Sequence, residues 1–247
     1  MAYRFDTDLE FLSQLTDAEL EPLVDIITKD KDGDSRWTET LTTSDVYKHY
    51  YPQHSKYWQE IAEEVQLFGG NTIVSLFRGG KGVLYREILI DVANKLKVNF
   101  NKDSSVERIE QNLFMKLFED MTAKMTSEEL RALLKELDVP NSATLTPEVM
   151  TTTFITIFRT GGFKSYQISL WLVNTIMKAL IGRGLTIGGN ATLARMLAVA
   201  TGPVGWVATG IWTLFDIASP AYRVTVPAVI CIAALRLQYQ MNQSNNQ

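Results

Sequence analysis

Cysteine and histidine are scarce in this sequence, and their scarcity excludes several kinds of site. Cys231 is the only cysteine, so no disulfide can form within the chain, which fits a reducing compartment or a buried thiol. The two histidines, His49 and His54, have no Cys or carboxylate at a metal-ligand spacing. They lie among tyrosines, for which we predict aromatic packing around Pro52. We predict no metal and no cofactor.

Residues 30–41 match a calcium-binding loop only in part. Aspartates occupy alternate positions, but Ser35 stands where the loop needs glycine and Leu41 where it needs the bidentate glutamate. We interpret this segment as a polar turn between helices.

The chain also lacks a basic stripe and an export signal. Its net charge of −4 argues against nucleic acid as a partner. Acidic residues stand near the N-terminus where a signal peptide would need a basic and then an apolar region. We therefore predict no export signal.

No stretch alternates with a two-residue period between hairpin turns, so we predict a nearly all-helical chain. Several helix starts are marked by capping residues. These are Thr16 with Glu19, Ser104 with Glu107, Thr126 with Glu129, and Thr146 followed by Pro147 and Glu148.

Residues 55–68 predict an amphipathic helix that directs Glu60, Glu63 and Glu64 to water and ends at Gly69-Gly70. A helix of barely two turns follows, and then a long helix with Leu84 and Ile88 inward. We predict that glycines form the joints of this region, namely Gly69, Gly70, Gly79, Gly80 and Gly82.

Two patterns in this region are weak candidates for chemistry. Arg78 and Lys81 lie in a glycine-rich run before a helix and are candidate phosphate or ligand contacts, although no P-loop or dinucleotide pattern is present. Glu87 and Asp91 share a helix face and could act as an acid/base pair. We favour a solvated face that pairs with Arg86 and Lys95. No catalytic residue is predicted.

The tract from residue 196 to 235 is nearly uncharged and must be hidden from water. Residues 196–215 contain no Asp, Glu, Lys or Arg, which matches the roughly 20 apolar residues of a membrane span. Gly202-Pro203, Pro220 and Pro227 interrupt the tract. We therefore predict three short apolar helices, about 190–201, 203–218 and 224–240, in a hairpin-like unit.

Other features of the tract suggest a membrane or a partner. Small residues four apart allow close helix contact in lipid, Asp216 and Arg223 could form a charge pair at a bend, and aromatics could anchor at an interface. The same aromatics could equally be ordinary core residues. The candidate interaction residues are Gly184, Gly188, Gly202, Pro203, Trp206, Trp212, Asp216, Tyr222, Arg223 and Pro227.

Four segments resemble the YaaW family of uncharacterised bacterial proteins in order and spacing. They are FGGNTI at 68–73, RGGKGVLYREILIDVANKLKV at 78–98, SSVERIEQNL at 104–113 and SPAYRVTVPAVICIAALR at 219–236. The middle of that family is similar to the ubiquinol-cytochrome c chaperone domain. The resemblance implies a helical scaffold and help given to a membrane protein, and it implies no catalytic residues.

These observations predict an all-α multi-helix bundle with an apolar, Gly/Pro-broken C-terminal hairpin. The expected divisions are a short-helix segment 1–45, an acidic scaffold 46–164, an apolar region 165–241 and a disordered polar tail 242–247. Our leading hypothesis is a non-enzymatic, chaperone-like assembly factor.

We expect this factor in the bacterial cytoplasm, peripheral to or inserted in the inner membrane. Its partner would be a membrane surface or a membrane protein, and its C-terminal helices could support oligomerisation. The alternatives are a membrane-perturbing effector kept soluble by its N-terminal helices, and a phosphate- or small-molecule-binding enzyme that uses Arg78, Lys81, Glu87 and Asp91.

Overall fold

The computed structural model describes residues 3–30, 33–36, 39–72, 83–181 and 222–245. Within these ranges the chain is helical, with short 3₁₀ turns and one isolated bridge between Lys29 and Ser35, which confirms the all-α class. The α-helices are α1 (Asp17–Thr28), α2 (Asp45–Tyr50), α3 (Trp58–Thr72), α4 (Tyr85–Lys95), α5 (Val106–Thr122), α6 (Ser127–Glu136), α7 (Pro147–Thr160), α8 (Gly162–Ile181) and α9 (Tyr222–Asn245).

The capping boxes at Thr16 and Thr126 are confirmed, as is the start of α7 at Thr146-Pro147. The box predicted at Ser104 with Glu107 is wrong. Helix α5 begins one residue later than that box requires, and the Ser105 hydroxyl accepts from the Arg108 amide at 3.3 Å. Ser104 precedes the cap, and its carbonyl accepts from Arg86 at 2.6 Å.

Helix α3 differs from its prediction at two points. It continues through Gly69 and Gly70 to Thr72, so the predicted end is two residues early. Gly69 lies against α4, where an added Cβ would be 2.4 Å from Ile88 Cδ1. Glu64 was expected in water but is buried, because its carboxylate accepts from the backbone amide and the hydroxyl of Thr40.

The chain contacts divide into two compact units, and the division falls within α5. The first unit comprises Met1–Glu110 with Leu214–Gln247, and the second comprises Gln111–Thr213. In the second unit α6 packs on α7 and α7 on α8. Its core contains an aromatic cluster in which Phe118 contacts Phe154, Phe158 and Trp171. The four sequence-based divisions stay a prediction.

In the first unit, α9 packs against α1, α3 and α4. Of the three helices predicted for the apolar tract, the third is confirmed and is longer than expected. Pro227 lies inside α9 and does not divide it. The other two helices, and therefore the hairpin, fall on residues outside the described ranges.

The aromatic packing predicted near Pro52 is confirmed. The Tyr47 ring centroid lies 5.1 Å from that of Tyr51 and 5.5 Å from that of Tyr57. His54 is buried in the same group, with Nδ1 2.5 Å from the Tyr57 hydroxyl oxygen. Burial lowers the pKa of His54, so this histidine is a neutral member of the core.

Candidate functional site

The most distinctive feature of the described chain is the enclosure of α9. Residues 224–236 are buried without interruption, which means that this stretch is covered on every side. Tyr222–Ser244 is also long and apolar enough to cross a membrane by length and composition, and 78% of the tested window is buried within the fold. A core helix of a soluble protein would pass the same test. The residues that contact α9 show how the fold accommodates it.

One ion pair anchors α9 in these surroundings. Arg236 Nε donates to both carboxylate oxygens of Glu110 in α5, at 3.2 Å and 3.0 Å. The Tyr85 hydroxyl of α4 donates to Glu110 Oε1 at 2.7 Å. Three helices therefore meet at one carboxylate. We call Tyr85, Glu110 and Arg236 the buried cluster.

The guanidinium of Arg236 is also held by the N-terminal segment. Its Nη2 donates to the Asp8 carbonyl at 2.5 Å, and its Cζ lies 4.4 Å from the Phe11 ring centroid. The face of a ring attracts a cation, most strongly where water is excluded. Nearly all of the Arg236 side chain is buried, so these contacts replace its hydration.

In the buried cluster, burial and the neighbouring charges shift the pKa values in opposite directions. Burial raises the pKa of Glu110 to about 7, against the lowering effects of Arg236 and of the Tyr85 hydroxyl. Burial alone would lower the pKa of Arg236, but Glu110 and Tyr85 raise it above its usual value. Arg236 therefore stays charged, whereas Glu110 exchanges its proton close to neutral pH.

Further polar contacts of α9 involve Tyr222, Val229 and Gln238, and the Val229 carbonyl accepts from the Tyr85 hydroxyl at 3.5 Å. The Tyr222 hydroxyl donates to Asp91 of α4 at 2.7 Å, and Lys95 Nζ lies 5.2 Å from the Tyr222 ring centroid. Near the other end, Gln238 donates to Glu19 of α1 at 2.8 Å. Burial and Asp91 raise the pKa of Tyr222 to about 12, so its hydroxyl remains a donor.

In the second unit, α7 contains several threonines. The hydroxyls of Thr151, Thr152, Thr153, Thr156 and Thr160 each donate to the carbonyl four residues earlier in the same helix. Their hydrogen bonds are thereby satisfied within α7. A shallow cavity of about 350 Å³ lies beside α7, and Val149 in its lining is 47% exposed. The lining residues are Glu148, Val149, Thr152, Thr153, Thr156 and Ile157.

The predicted site residues are only partly within the described chain. Tyr222, Arg223 and Pro227 lie in α9, and Gly69 and Gly70 lie in the last turn of α3. The remaining candidates fall outside the described ranges, namely Arg78, Gly79, Gly80, Lys81, Gly82, Gly184, Gly188, Gly202, Pro203, Trp206, Trp212 and Asp216. Their roles stay predictions.

The buried cluster was not predicted, although the sequence contained two indications of it. Glu110 falls on the apolar stripe of α5, four residues after Val106 and three before Leu113. Arg236 is the single charge that ends a twelve-residue apolar run from Val224 to Leu235. A charge on an apolar stripe requires a buried partner of opposite sign.

The chemistry available to the buried cluster is charge pairing and proton uptake. Within the described ranges, no three or more His, Cys, Asp or Glu side chains group as metal ligands do. Cys231 is fully buried in α9, and burial raises the pKa of its thiol, which keeps it protonated and unreactive.

Comparison with known proteins identifies relatives over the whole chain. A UPF0174 protein of Helicobacter pylori strain J99 is 46% identical over 240 residues, covering 97% of this chain and 94% of the relative. The UPF0174 protein YaaW of Escherichia coli strain K12 is 31% identical over 246 residues, covering 98% of each. The resemblance to YaaW seen in the sequence motifs is thus confirmed. No solved structure matches.

Two family patterns also match the sequence. A domain of unknown function, DUF3944, matches residues 3–37, which include α1. The pattern described as Ubiquinol-cytochrome C chaperone matches residues 53–230, from before α3 into α9. The chain therefore belongs to the UPF0174 family and, over residues 53–230, to the ubiquinol-cytochrome C chaperone family.

Proposed function

We propose that this protein is a non-enzymatic, chaperone-like assembly factor for a bacterial membrane protein. The observation that carries the proposal is the match of residues 53–230 to the ubiquinol-cytochrome C chaperone family. That name describes a chaperone. The match ends inside α9, so the family pattern includes the first part of the apolar helix.

The packing of α9 supports this function on physical grounds. An assembly factor must cover apolar helices that have not yet reached their place in a membrane complex. The first unit already covers a helix of this kind, with apolar contacts along it and one buried carboxylate for its basic residue. The apolar side chains that cover α9 could cover an apolar helix of a partner protein in the same way.

The membrane location is part of the same proposal. We expect the protein to be in the cytoplasm and to reach the inner membrane through its partner. Cell fractionation with a carbonate wash tests this location. Carbonate should release the protein from the membrane fraction, whereas resistance to carbonate would indicate direct insertion.

A chromosomal deletion tests the function itself. Membrane complexes from wild-type and deletion cells would be separated by native electrophoresis and identified by mass spectrometry. We expect at least one complex to be depleted and a fragment of it to accumulate, with recovery when the wild-type chain is restored. An unchanged set of complexes under growth conditions in which the protein is made would contradict the proposal.

The membrane-perturbing alternative makes a different prediction. Purified protein would release a dye trapped in vesicles that contain anionic lipid, because inserted apolar helices disrupt the bilayer. Under the assembly-factor proposal the vesicles remain sealed with or without bound protein.

A further inference from the structure

The surroundings of α9 form a groove with two chemical properties. Its walls are α1, α3 and α4, whose buried side chains are mostly apolar and include Leu23, Ile61 and Ile88. Where the continuously buried stretch of α9 ends, at Arg236, the groove has the Glu110 carboxylate, which is also buried. The groove therefore fits a helix that is apolar along its length and has a cation at one end.

This pattern is also typical of transmembrane helices. Such helices are apolar for about 20 residues and are flanked by Arg or Lys on the cytoplasmic side. In α9, the twelve-residue uncharged stretch from Val224 to Leu235 ends at Arg236, so the groove encloses more than half the length of such a span together with its flanking cation. The chemistry that holds α9 would hold such a helix from another protein.

The contacts of α9 are also of a kind that another helix can replace. Apolar contacts are non-directional, so helices of similar volume can substitute for one another. Directional contacts are made by the side chains of Tyr222, Arg236 and Gln238. The Val229 carbonyl also accepts from the Tyr85 hydroxyl at 3.5 Å, and any other helix presents backbone carbonyls as well. No disulfide ties α9 to the groove, because the chain has a single cysteine.

We propose that the groove formed by α1, α3, α4 and Glu110 is the partner-binding site, and that its ligand is a transmembrane helix ending in Arg or Lys. In this inference α9 occupies the groove as an internal substitute and leaves when the partner helix enters. The inference rests on the proposed assembly function, because it names the class of partner on which that function acts.

Cys231 provides a direct measurement of the exchange. It is the only thiol in the chain, and its side chain is fully buried while α9 is in the groove. The probe is a synthetic peptide of residues 222–245 with the substitution Cys231→Ser and a C-terminal lysine tag for solubility. The full-length protein is mixed with the peptide, and the rate at which a thiol reagent modifies Cys231 is followed by mass spectrometry.

We expect a saturating concentration of peptide to raise the modification rate by about tenfold or more, because the displaced helix exposes its thiol. A peptide with Arg236→Lys should act similarly, since Lys also supplies a cation. A peptide with Arg236→Glu should be inactive, because it would place a second carboxylate beside Glu110. In the Glu110→Gln protein the difference between the Arg and Glu peptides should shrink.

Four results would overturn the inference. The first is no binding of the peptide, and the second is binding, seen by fluorescence anisotropy, without faster modification of Cys231. The third is equal acceleration by the Arg and Glu peptides, which indicates general destabilisation. A rate that rises with protein concentration without peptide would assign the groove to a second copy of the chain and also contradict the inference.

The deletion experiment separates this inference from the function on which it rests. If membrane complexes are depleted in the deletion strain but Cys231 remains protected, the assembly function stands and the groove is not its partner site. If the complexes are unchanged but peptides exchange with the predicted charge preference, the groove binds helices and the assembly function fails.

Discussion

Arg236 and Glu110 are 126 residues apart in the sequence, and Arg236 Nε lies 3.0 Å from Glu110 Oε2. Their relative exposures are only 6% and 4%. Neither charge can recover its hydration when its partner is removed, so the loss of one leaves the other buried and uncompensated. The pair therefore fixes the position of α9 along the groove.

We expect Arg236→Met to lower the free energy of unfolding by about 3 kcal/mol at pH 8, because the Glu110 carboxylate then lacks its cation. The loss should be smaller at pH 5, where Glu110 takes up a proton. Urea unfolding at the two pH values measures both. Arg223→Met, at an exposed position on the same helix, is the control and should change stability by less than about 1 kcal/mol at both pH values, because the contacts of an exposed charge contribute little. Equal losses for Arg236→Met at both pH values would contradict this explanation.

The proton equilibrium of Glu110 predicts a separate pH dependence. Its pKa is about 7 when folded against 4.5 as the reference, so the folded state binds more protons between these values. The stabilising contribution of Glu110 is therefore complete below pH 4.5 and is lost as pH rises through 7. Glu110→Gln does not titrate. The stability of the wild type relative to Glu110→Gln should fall by about 2 kcal/mol between roughly pH 5 and 8. A constant difference would show that Glu110 is ionised throughout this range.

The double variant Glu110→Leu with Arg236→Met removes both charges. A buried ion pair contributes little net stability once the desolvation of its members is included, so the double variant should unfold within about 1 kcal/mol of the wild type. At pH 8 it should be more stable than Arg236→Met alone. A double variant less stable than that single variant would show that the hydrogen bonds of the buried cluster outweigh its desolvation cost.

The start of α5 provides a test with neighbouring serines. Ser105→Ala removes the hydroxyl that accepts from the Arg108 amide, and should cost about 1 kcal/mol. Ser104→Ala should cost much less, because Ser104 accepts from Arg86 through its backbone carbonyl, which the substitution keeps. Thermal unfolding of the two variants gives the comparison. A larger loss of stability for Ser104→Ala than for Ser105→Ala would show that Ser104 is the capping residue.

Local chemistry explains which helix starts the sequence could predict. The boxes at Thr16 and Thr126 depend on atoms within four residues, and both formed as expected. At α5 two adjacent serines offered two starts. Arg86, a residue of α4, binds the carbonyls of Lys102 and Ser104 just before α5. Sequence spacing alone could not include that contact.

The burial of the Glu64 and Glu110 carboxylates could not be predicted from the sequence. A glutamate on a helix is normally assigned to water, as Glu64 was, unless a partner for it is known. The partner of Glu64 is Thr40, 24 residues earlier, and that of Glu110 is Arg236, 126 residues later. Such pairings follow from tertiary packing, which local patterns do not encode. The all-α class was predictable because capping and helical periodicity are local.

Adjacent glycines in α3 offer the sharpest packing test. An added Cβ at Gly69 would lie 2.4 Å from both Cδ1 and Cγ1 of Ile88 and 3.1 Å from Val83 Cγ2, whereas Gly70 has no such atom within 4 Å. Gly69→Ala should therefore lower the free energy of unfolding by about 1 to 3 kcal/mol through overpacking. Gly70→Ala should raise it by about 0.5 to 1 kcal/mol, because alanine favours the helix over glycine.

Denaturant unfolding of the two variants, and of Gly69→Ala combined with Ile88→Val, checks the physical cause. Valine lacks the Cδ1 atom of isoleucine, so the second substitution should recover part of the loss at residue 69. It should cost about 1 kcal/mol in the wild-type background, where it only removes a buried methyl group. Additive losses in the combined variant would show that Gly69 is required for some reason other than the approach of α4.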